Sequence, residues 1–126
     1  MALALHQIPK PTLAVLKGVA AGAGLNLALA CDLLPASEHA RLCESFARRG
    51  LSLDSGGSWW LPRLVGLARA KELTLLADWI SAEEAQRSGL VNRVLPHAEL
   101  AAFAQGWAER LAAAPPLASS LSKRTK

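Results

Sequence analysis

The sequence predicts an α/β fold in which short strands and helices alternate around one layered core. Residues 12–16 form an apolar run with the length of a buried strand. After a turn rich in glycine, residues 25–31 are apolar on nearly all sides, as a buried helix is. Further short extended and helical patterns alternate along the chain, which is typical of a layered α/β core.

The first and middle parts of the chain supply several of these elements. The pattern of residues 1–10 is typical of the last part of an interrupted helix that leads into the first strand. A second strand is predicted around Pro35, which has no N–H for a ladder hydrogen bond and therefore suits a sheet edge or a bulge. A helix is predicted from Ser58, and another over residues 68–77, with its leucines Leu73, Leu75 and Leu76 on or near the buried side.

The last part of the chain contains clear helix boundaries. Ser81 and Glu84 have the spacing of a capping box, and Gly89 is placed to end that short helix in the left-handed conformation. A long amphipathic helix is predicted over residues 98–114, where two prolines end it. The remaining residues predict the start of one more helix.

Composition restricts the possible functions. The 126 residues are 52% hydrophobic and 19% charged, with a net charge of +4, which fits one globular domain. The basic residues are scattered, so we expect no nucleic-acid partner. Cys31 and Cys43 predict neither a disulfide framework nor a metal site, and no segment has the pattern of a signal peptide or a membrane span. We therefore expect a cytoplasmic protein without a metal.

The glycine-rich turn has two interpretations. Gly22 and Gly24 stand between the predicted strand and the predicted helix, where free backbone N–H groups suit an anion or a developing oxyanion. Alternatively, the glycines only allow a strand and a helix to pack closely. From the pattern alone we favour packing, because small-residue turns are common.

Three segments together point to a family. GVAAGAGLNLALACD, GLSLDSGGSWWLPRLVGLARAKEL and ISAEEAQRSGLVNRVLP occur in this order. They resemble the enoyl-CoA hydratase/isomerase (crotonase) superfamily in sequence and in spacing. The resemblance implies the layered ClpP/crotonase fold, of which the chain would be the C-terminal or back half, followed by C-terminal helices. It implies a single domain over residues 1–126, truncated at the N-terminal side and at the C-terminal end.

The resemblance also implies roles for individual residues. Ala23 would supply one backbone N–H of an oxyanion hole for the thioester, with Gly22 and Gly24 beside it, and the second donor would come from the front half. True hydratases use two glutamates, and the matching positions here are Asn26 and Phe46, so ordinary hydratase activity is disfavoured. Neither side chain exchanges a proton near neutral pH, and the resemblance implies that both, with Gly22 and Gly24, contact the bound substrate.

Asp54 is the carboxylate at a position that is catalytic in the isomerase and dehalogenase branches. From sequence alone it reads as a turn or helix N-cap residue; the resemblance favours catalysis. An apolar pocket around Leu53 and Phe46 would raise its pKa by desolvation. Trp59 either lines an acyl or aryl pocket or packs in the core. Glu44, two positions from a family site, is expected to be solvated.

The function implied is that of an acyl-CoA isomerase, closest in motif to the branch that acts on the ring epoxide of phenylacetyl-CoA in phenylacetate catabolism. Coenzyme A would enter as part of the substrate, without a permanently bound cofactor. We expect a homo-oligomer, a trimer or a dimer of trimers, and another chain could supply the front half. Because half a layered core would leave its strands and its central helix with uncovered apolar faces, we also expect the chain to associate. The alternatives are a non-catalytic fragment or oligomerisation module, and a hydratase-related activity.

Overall fold

The computed structural model describes residues 2–54 and 56–124, and it confirms the α/β arrangement. The helices are α1 (Ala2–His6), α2 (Ala23–Leu29), α3 (Gly57–Val65), α4 (Leu67–Leu76), α5 (Ala82–Ser88), α6 (Leu100–Ala113) and α7 (Pro116–Lys123). The strands are β1 (Val19–Ala21), β2 (Pro35–Ser37), β3 (Arg41–Cys43), β4 (Ile80–Ser81) and β5 (Arg93–Leu95). Short 3₁₀ helices cover Ser45–Arg49 and His97–Glu99.

The strands form two small sheets. In one, β3 lies between β1, to which it is parallel, and β4, to which it is antiparallel. In the other, β2 and β5 are parallel. Parallel strands that are neighbours in a sheet need a crossover connection, and α2 is part of the connection from β1 to β3. In space, α2 packs against β1 and α3. This packing places the first turn of α2 near the loop that precedes α3.

The first strand is not where the sequence predicts it. Residues 12–16 join residues 33–36 through isolated parallel bridges, Leu13 to Leu33 and Leu16 to Ala36. The strand β1 instead begins at Val19, within the segment predicted as a turn. Backbone pairing with β3 decides this, since Val19 itself is exposed. Apolar character therefore indicated a buried segment here but not the extent of the ladder.

The prediction that Pro35 lies at a sheet edge is wrong. Pro35 is fully buried in β2, with β5 on one side and Leu16 on the other. Its carbonyl accepts a hydrogen bond from the N–H of Leu16 at 3.1 Å. Proline lacks a backbone N–H but keeps its carbonyl. It can therefore lie between two neighbouring segments where the hydrogen bond needed at that position is one that its carbonyl accepts.

The core lies between α2, β3 and α3. Leu25, Leu42 and Leu61 have almost no exposed surface there. Leu73 of α4 is buried as the sequence predicts, but Leu75 and Leu76 are 73% and 63% exposed, so their predicted burial is wrong. Leu75 is two residues from Leu73 and therefore points away from the core, because one helix face recurs only every three to four residues, and Leu76 is the last residue of α4.

The predicted helix boundaries in the last part of the chain are confirmed. The Ser81 hydroxyl accepts a hydrogen bond from the backbone N–H of Glu84 at 3.1 Å, and Gly89 ends α5 with a φ of 93°. The carboxylate of Glu84 does not complete the capping box but pairs with Arg69. Among the described residues, no helix combines the length and the apolar character needed to cross a membrane.

Candidate active site

Gly22 makes the turn from β1 into α2. Its φ of 56° and ψ of −126° are accessible to glycine and strained for other residues. A Cβ at this position would also lie 3.0 Å from the Ser45 hydroxyl and 3.9 Å from the ring of Phe46. The Gly22 N–H donates to the carbonyl of Cys43 at 3.0 Å. Of the predicted substrate-binding residues, Gly22 and Phe46 are thus brought together by close packing.

Ala23 and Gly24 form the exposed first turn of α2. The N–H groups of a first helical turn have no acceptor within the helix, so those of Ala23 and Gly24 can bind an oxygen from outside. No atom lies within 4 Å of a Cβ built on Gly24, and packing therefore does not require glycine there. The structure leaves the predicted oxyanion donor at Ala23 accessible.

Asn26 joins α2 to the loop that carries Asp54. Its side chain is completely buried, and Nδ2 donates to the backbone carbonyl of Asp54 at 2.7 Å. A Cβ on Gly57 would lie 2.5 Å from Nδ2, so only glycine permits this approach. Asn26 therefore positions the Asp54 loop, and its predicted role in substrate binding stays a prediction.

Asp54 lies on a hydrogen-bonded turn with an exposed side chain. Its carbonyl also accepts from the N–H of Gly57 at 3.1 Å, and Gly56 completes the turn with a φ of 79°. The N-cap residue of α3 is Gly56, so the alternative of Asp54 as the N-cap is wrong. The predicted apolar enclosure around Asp54 is also wrong, because Asp54 is exposed and Leu53 is half-buried.

A groove of about 1330 Å³ extends from Asp54 along α1, α3 and α7. Trp59 lines it with 41% of its surface exposed, and the Arg63 guanidinium lies 3.8 Å from the centre of the Trp59 ring. Trp60 is 8% exposed and packs against His6, with ring centres 4.5 Å apart. Of the two alternatives predicted for Trp59, the structure places it at the groove, whereas Trp60 belongs to the core and only its edge reaches the groove.

The chain is similar to known proteins in sequence and in fold. A family model described as enoyl-CoA hydratase/isomerase matches residues 1–125 of the chain.

The chain belongs to the enoyl-CoA hydratase/isomerase family.

Several relatives in this family cover nearly all of the chain. A probable enoyl-CoA hydratase of Rhodobacter capsulatus is 44% identical over 121 residues, which are 96% of this chain and 47% of that protein. A 1,2-epoxyphenylacetyl-CoA isomerase of Escherichia coli is 42% identical over 95% of this chain and 46% of its own. The crystal structure of an enoyl-CoA hydratase from Mycobacterium avium subsp. paratuberculosis superposes with a TM-score of 0.95 at 38% identity, over 97% of this chain and 50% of that one. The crotonase-like α/β fold is therefore confirmed.

The extent of the family match corrects one prediction. The description of the chain as the C-terminal half of the family is contradicted by the family model, which matches residues 1–125. The chain spans about half the length of the curated relatives it matches.

Glu44 is a residue of this family member that sequence reasoning placed wrongly. It is 3% exposed instead of solvated, and neither carboxyl oxygen has a hydrogen-bond partner among the described residues. Burial raises the pKa of Glu44 to about 7, and the Asn26 amide opposes this as the smaller effect. Strand alternation gave no signal for this burial, because Leu42 and Cys43 on the two faces of β3 are both buried.

The histidines contribute no second site to this family member. The hydroxyl of Ser37 lies 2.8 Å from Nδ1 of His97, but Ser37 is fully buried and cannot reach a substrate. His39 and His97 have ring centres 5.4 Å apart. Within residues 2–54 and 56–124, no group of three potential metal ligands comes together.

Proposed function

We propose that the chain takes part in crotonase-type isomerisation of an acyl-CoA, with Asp54 as the proton carrier. The observation that supports this best is the placement of Asp54. Its side chain is exposed at the groove beside Trp59, while Asn26 fixes its backbone carbonyl at 2.7 Å. A carboxylate on a fixed turn at the wall of a groove is suited to meet a bound substrate.

The proposed reaction moves one proton between two carbons. The Asp54 carboxylate removes a proton from the carbon beside the thioester carbonyl, and the electron pair of the broken C–H bond passes to the thioester oxygen. The resulting enolate oxygen accepts a hydrogen bond from the N–H of Ala23. Asp54 then returns the proton to the far carbon of the conjugated system, the carbonyl re-forms, and the double bond has moved by one position.

The groove has features that suit an acyl-CoA. In the proposal, the Trp59 ring in the groove contacts the acyl or aryl group, and the thioester reaches Gly22, Gly24 and Phe46, which lie outside the lining of the groove. Basic side chains along the groove, including Arg63, would attract the anionic phosphates of coenzyme A. Coenzyme A enters only as part of the substrate.

The finer assignment follows the Escherichia coli relative, which is named a 1,2-epoxyphenylacetyl-CoA isomerase. We include a ring-epoxide acyl-CoA among the candidate substrates for that reason. A homo-oligomer, a trimer or a dimer of trimers, belongs to the same proposal because the family resemblance implies it. A cytoplasmic location belongs to it because Cys31 and Cys43 suit reduced thiols.

Hydration is the second candidate function, because the Rhodobacter capsulatus relative is named a probable enoyl-CoA hydratase. Hydration requires one group to activate water and another to deliver a proton. Asn26 and Phe46 occupy the two positions that the resemblance assigns to those groups, and neither can do so. We therefore rank isomerisation first.

The test compares two substrates and two variants. The chain is incubated separately with a 3-enoyl-CoA and with a 2-enoyl-CoA, and products are separated by chromatography. We expect conversion of the first substrate to its conjugated isomer and little hydrate from the second. Asp54→Asn should lower isomerisation by about a hundredfold to ten-thousandfold, while Glu83→Gln, at an exposed carboxylate of α5, should leave it unchanged.

Each other result points to a different function. Hydrate formed at a rate independent of Asp54 would support the hydratase. Absence of any acyl-CoA turnover would support a non-catalytic module.

A further inference from the structure

Three buried acceptor atoms lie without donors next to the Asp54 loop. Oδ1 of Asn26 and both carboxyl oxygens of Glu44 have no hydrogen-bond partner among the described residues. The two side chains are 0% and 3% exposed, so bulk water does not reach them. Buried acceptors without donors destabilise a fold and are uncommon. Such a group of acceptors therefore indicates that one of them carries a proton and acts as a donor.

The orientation of the Asn26 amide is fixed by its partner. The carbonyl of Asp54 can only accept a hydrogen bond, so the amide atom 2.7 Å from it must be the nitrogen. Oδ1 is therefore the remaining polar atom of Asn26, and it requires a donor. An ionised Glu44 offers only acceptors, whereas a protonated carboxyl group offers one O–H.

The surroundings of Glu44 disfavour a charge. It lines a cavity of about 10 Å³ together with mostly apolar side chains. The other ionisable groups around that cavity are Cys43 on β3 and Asp78 before β4. Arg48 lies close to Cys43, but its Nε donates to the carbonyl of Ala77 at 2.6 Å. Among the described residues, the Asn26 amide favours the charged form of Glu44, but burial has the larger effect on its pKa, and neither carboxyl oxygen has a hydrogen bond of normal geometry.

We propose that Glu44 is a positioning residue whose protonated carboxyl group donates a hydrogen bond to Oδ1 of Asn26 and thereby holds the Asp54 turn. The Asn26 amide lies close enough to Glu44 to influence its pKa, and the same amide donates to the Asp54 carbonyl at 2.7 Å. Gly57 packs directly on the same amide, so the start of α3 is fixed with it. The inference that Glu44 positions a catalytic Asp54 rests on the proposed function. The inference that Glu44 is protonated does not depend on that function.

The experiment begins with the proton itself. The ¹³C resonance of the Glu44 carboxyl carbon is followed in the 126-residue chain between pH 4 and pH 9. We expect its inflection near pH 7, where burial sets the pKa, with the Asn26 side-chain amide and Gly57 backbone resonances moving at the same pH. An inflection near the ordinary value of 4.5, or Asn26 and Gly57 resonances that ignore the titration, would overturn the proposal.

Two variants separate hydrogen bonding from packing. Glu44→Gln keeps the shape and a donor, so the Asn26 and Gly57 resonances should stay near their low-pH positions at every pH. Glu44→Met keeps the volume without a donor and should shift both. If the methionine variant does not fold, the wild-type titration still decides; equal spectra for the two variants would refute the hydrogen bond.

Activity then separates this inference from the proposed function. In the isomerase assay, kcat should fall in Glu44→Met with little change in KM and be retained in Glu44→Gln. A chain with no turnover but with the expected titration would refute the proposed function and leave the Glu44 proton established. Equal kcat in the two variants would refute positioning.

Discussion

Ionisation of Glu44 should lower the stability of the folded chain as the pH rises from about 4.5 to about 7. Burial raises the pKa of this group from 4.5 to about 7 in the folded state, so between these values the folded chain holds a proton that the unfolded chain has released. The stabilising contribution is therefore fully present below pH 4.5 and is lost as the pH rises through about 7. Above that value both states are ionised and the dependence ends.

The magnitude follows from the size of the pKa difference. One pKa unit corresponds to about 1.4 kcal/mol, so a rise from 4.5 to about 7 corresponds to roughly 3 kcal/mol. This is a large part of the 5–15 kcal/mol that a typical domain has. It is expected to dominate the pH dependence in this range, since Glu44 is almost fully buried and solvent screens it little.

The assay is urea denaturation at a series of pH values for the wild type and for Glu44→Gln. The difference between the two free energies of unfolding isolates Glu44, because other groups titrate equally in both proteins. We expect the wild type to lose roughly 3 kcal/mol relative to the variant between pH 4.5 and pH 8. Parallel curves over that range would show that Glu44 is ionised at ordinary pH in the folded chain and would refute the reasoning.

Three further predictions address the turn, the base and the surface. Gly22→Ala should lower the free energy of unfolding by about 1–3 kcal/mol because of its strained φ and ψ, whereas Gly24→Ala, with open space around it, should cost nothing in thermal melts; equal costs would contradict this. Asp54→Asn should leave the melting temperature within a few degrees of the wild type, and a large drop would show that the carboxylate is structural. The chain should associate in sedimentation experiments through exposed leucines such as Leu75 and Leu76, and replacing both with glutamate should favour the monomer; a wild-type chain that is already a compact monomer would exclude this.

The apolar side chains that the structure leaves exposed differ from those that the sequence predicted to be exposed. We predicted that the apolar faces of the central helix would be uncovered. Leu25 and Leu29 of α2 are instead 1% and 5% exposed, since β1 and α3 cover them. Exposed apolar side chains lie on several elements, and those of α4 include Leu75 and Leu76.

Helix ends were the best predicted features of the fold. Ser81 and Gly89 act through their own backbone neighbourhood, so a short piece of sequence contains all the information. Strand limits were predicted poorly, because pairing partners are distant: Val19 is a strand residue only through its pairing with Arg41. Long-range pairing cannot be read from the segment alone.

The candidate site was predicted in part for similar reasons. Gly22 and Asp54 stand in segments that the family resemblance identifies, and the structure places them on neighbouring loops. The environment of Glu44 depends on the packing of β3 between β1 and β4, which local composition does not specify. The exposure of Asp54 likewise depends on how α1 and α7 border the groove.

Within the described part of the chain, Lys123 at the end of α7 contacts residues near the start of the sequence. Lys123 Nζ lies 2.9 Å from the Asp32 carboxylate and donates to the carbonyl of Lys10 at 2.8 Å, although α7 has no buried residue of its own. Little apolar burial offsets the entropy lost when α7 is ordered, since none of its residues is buried. We therefore expect docking of α7 to be a late folding event and its detachment to be an early local opening. Amide hydrogens of α7 should exchange with solvent long before those of α2, and this opening widens the groove without unfolding the core.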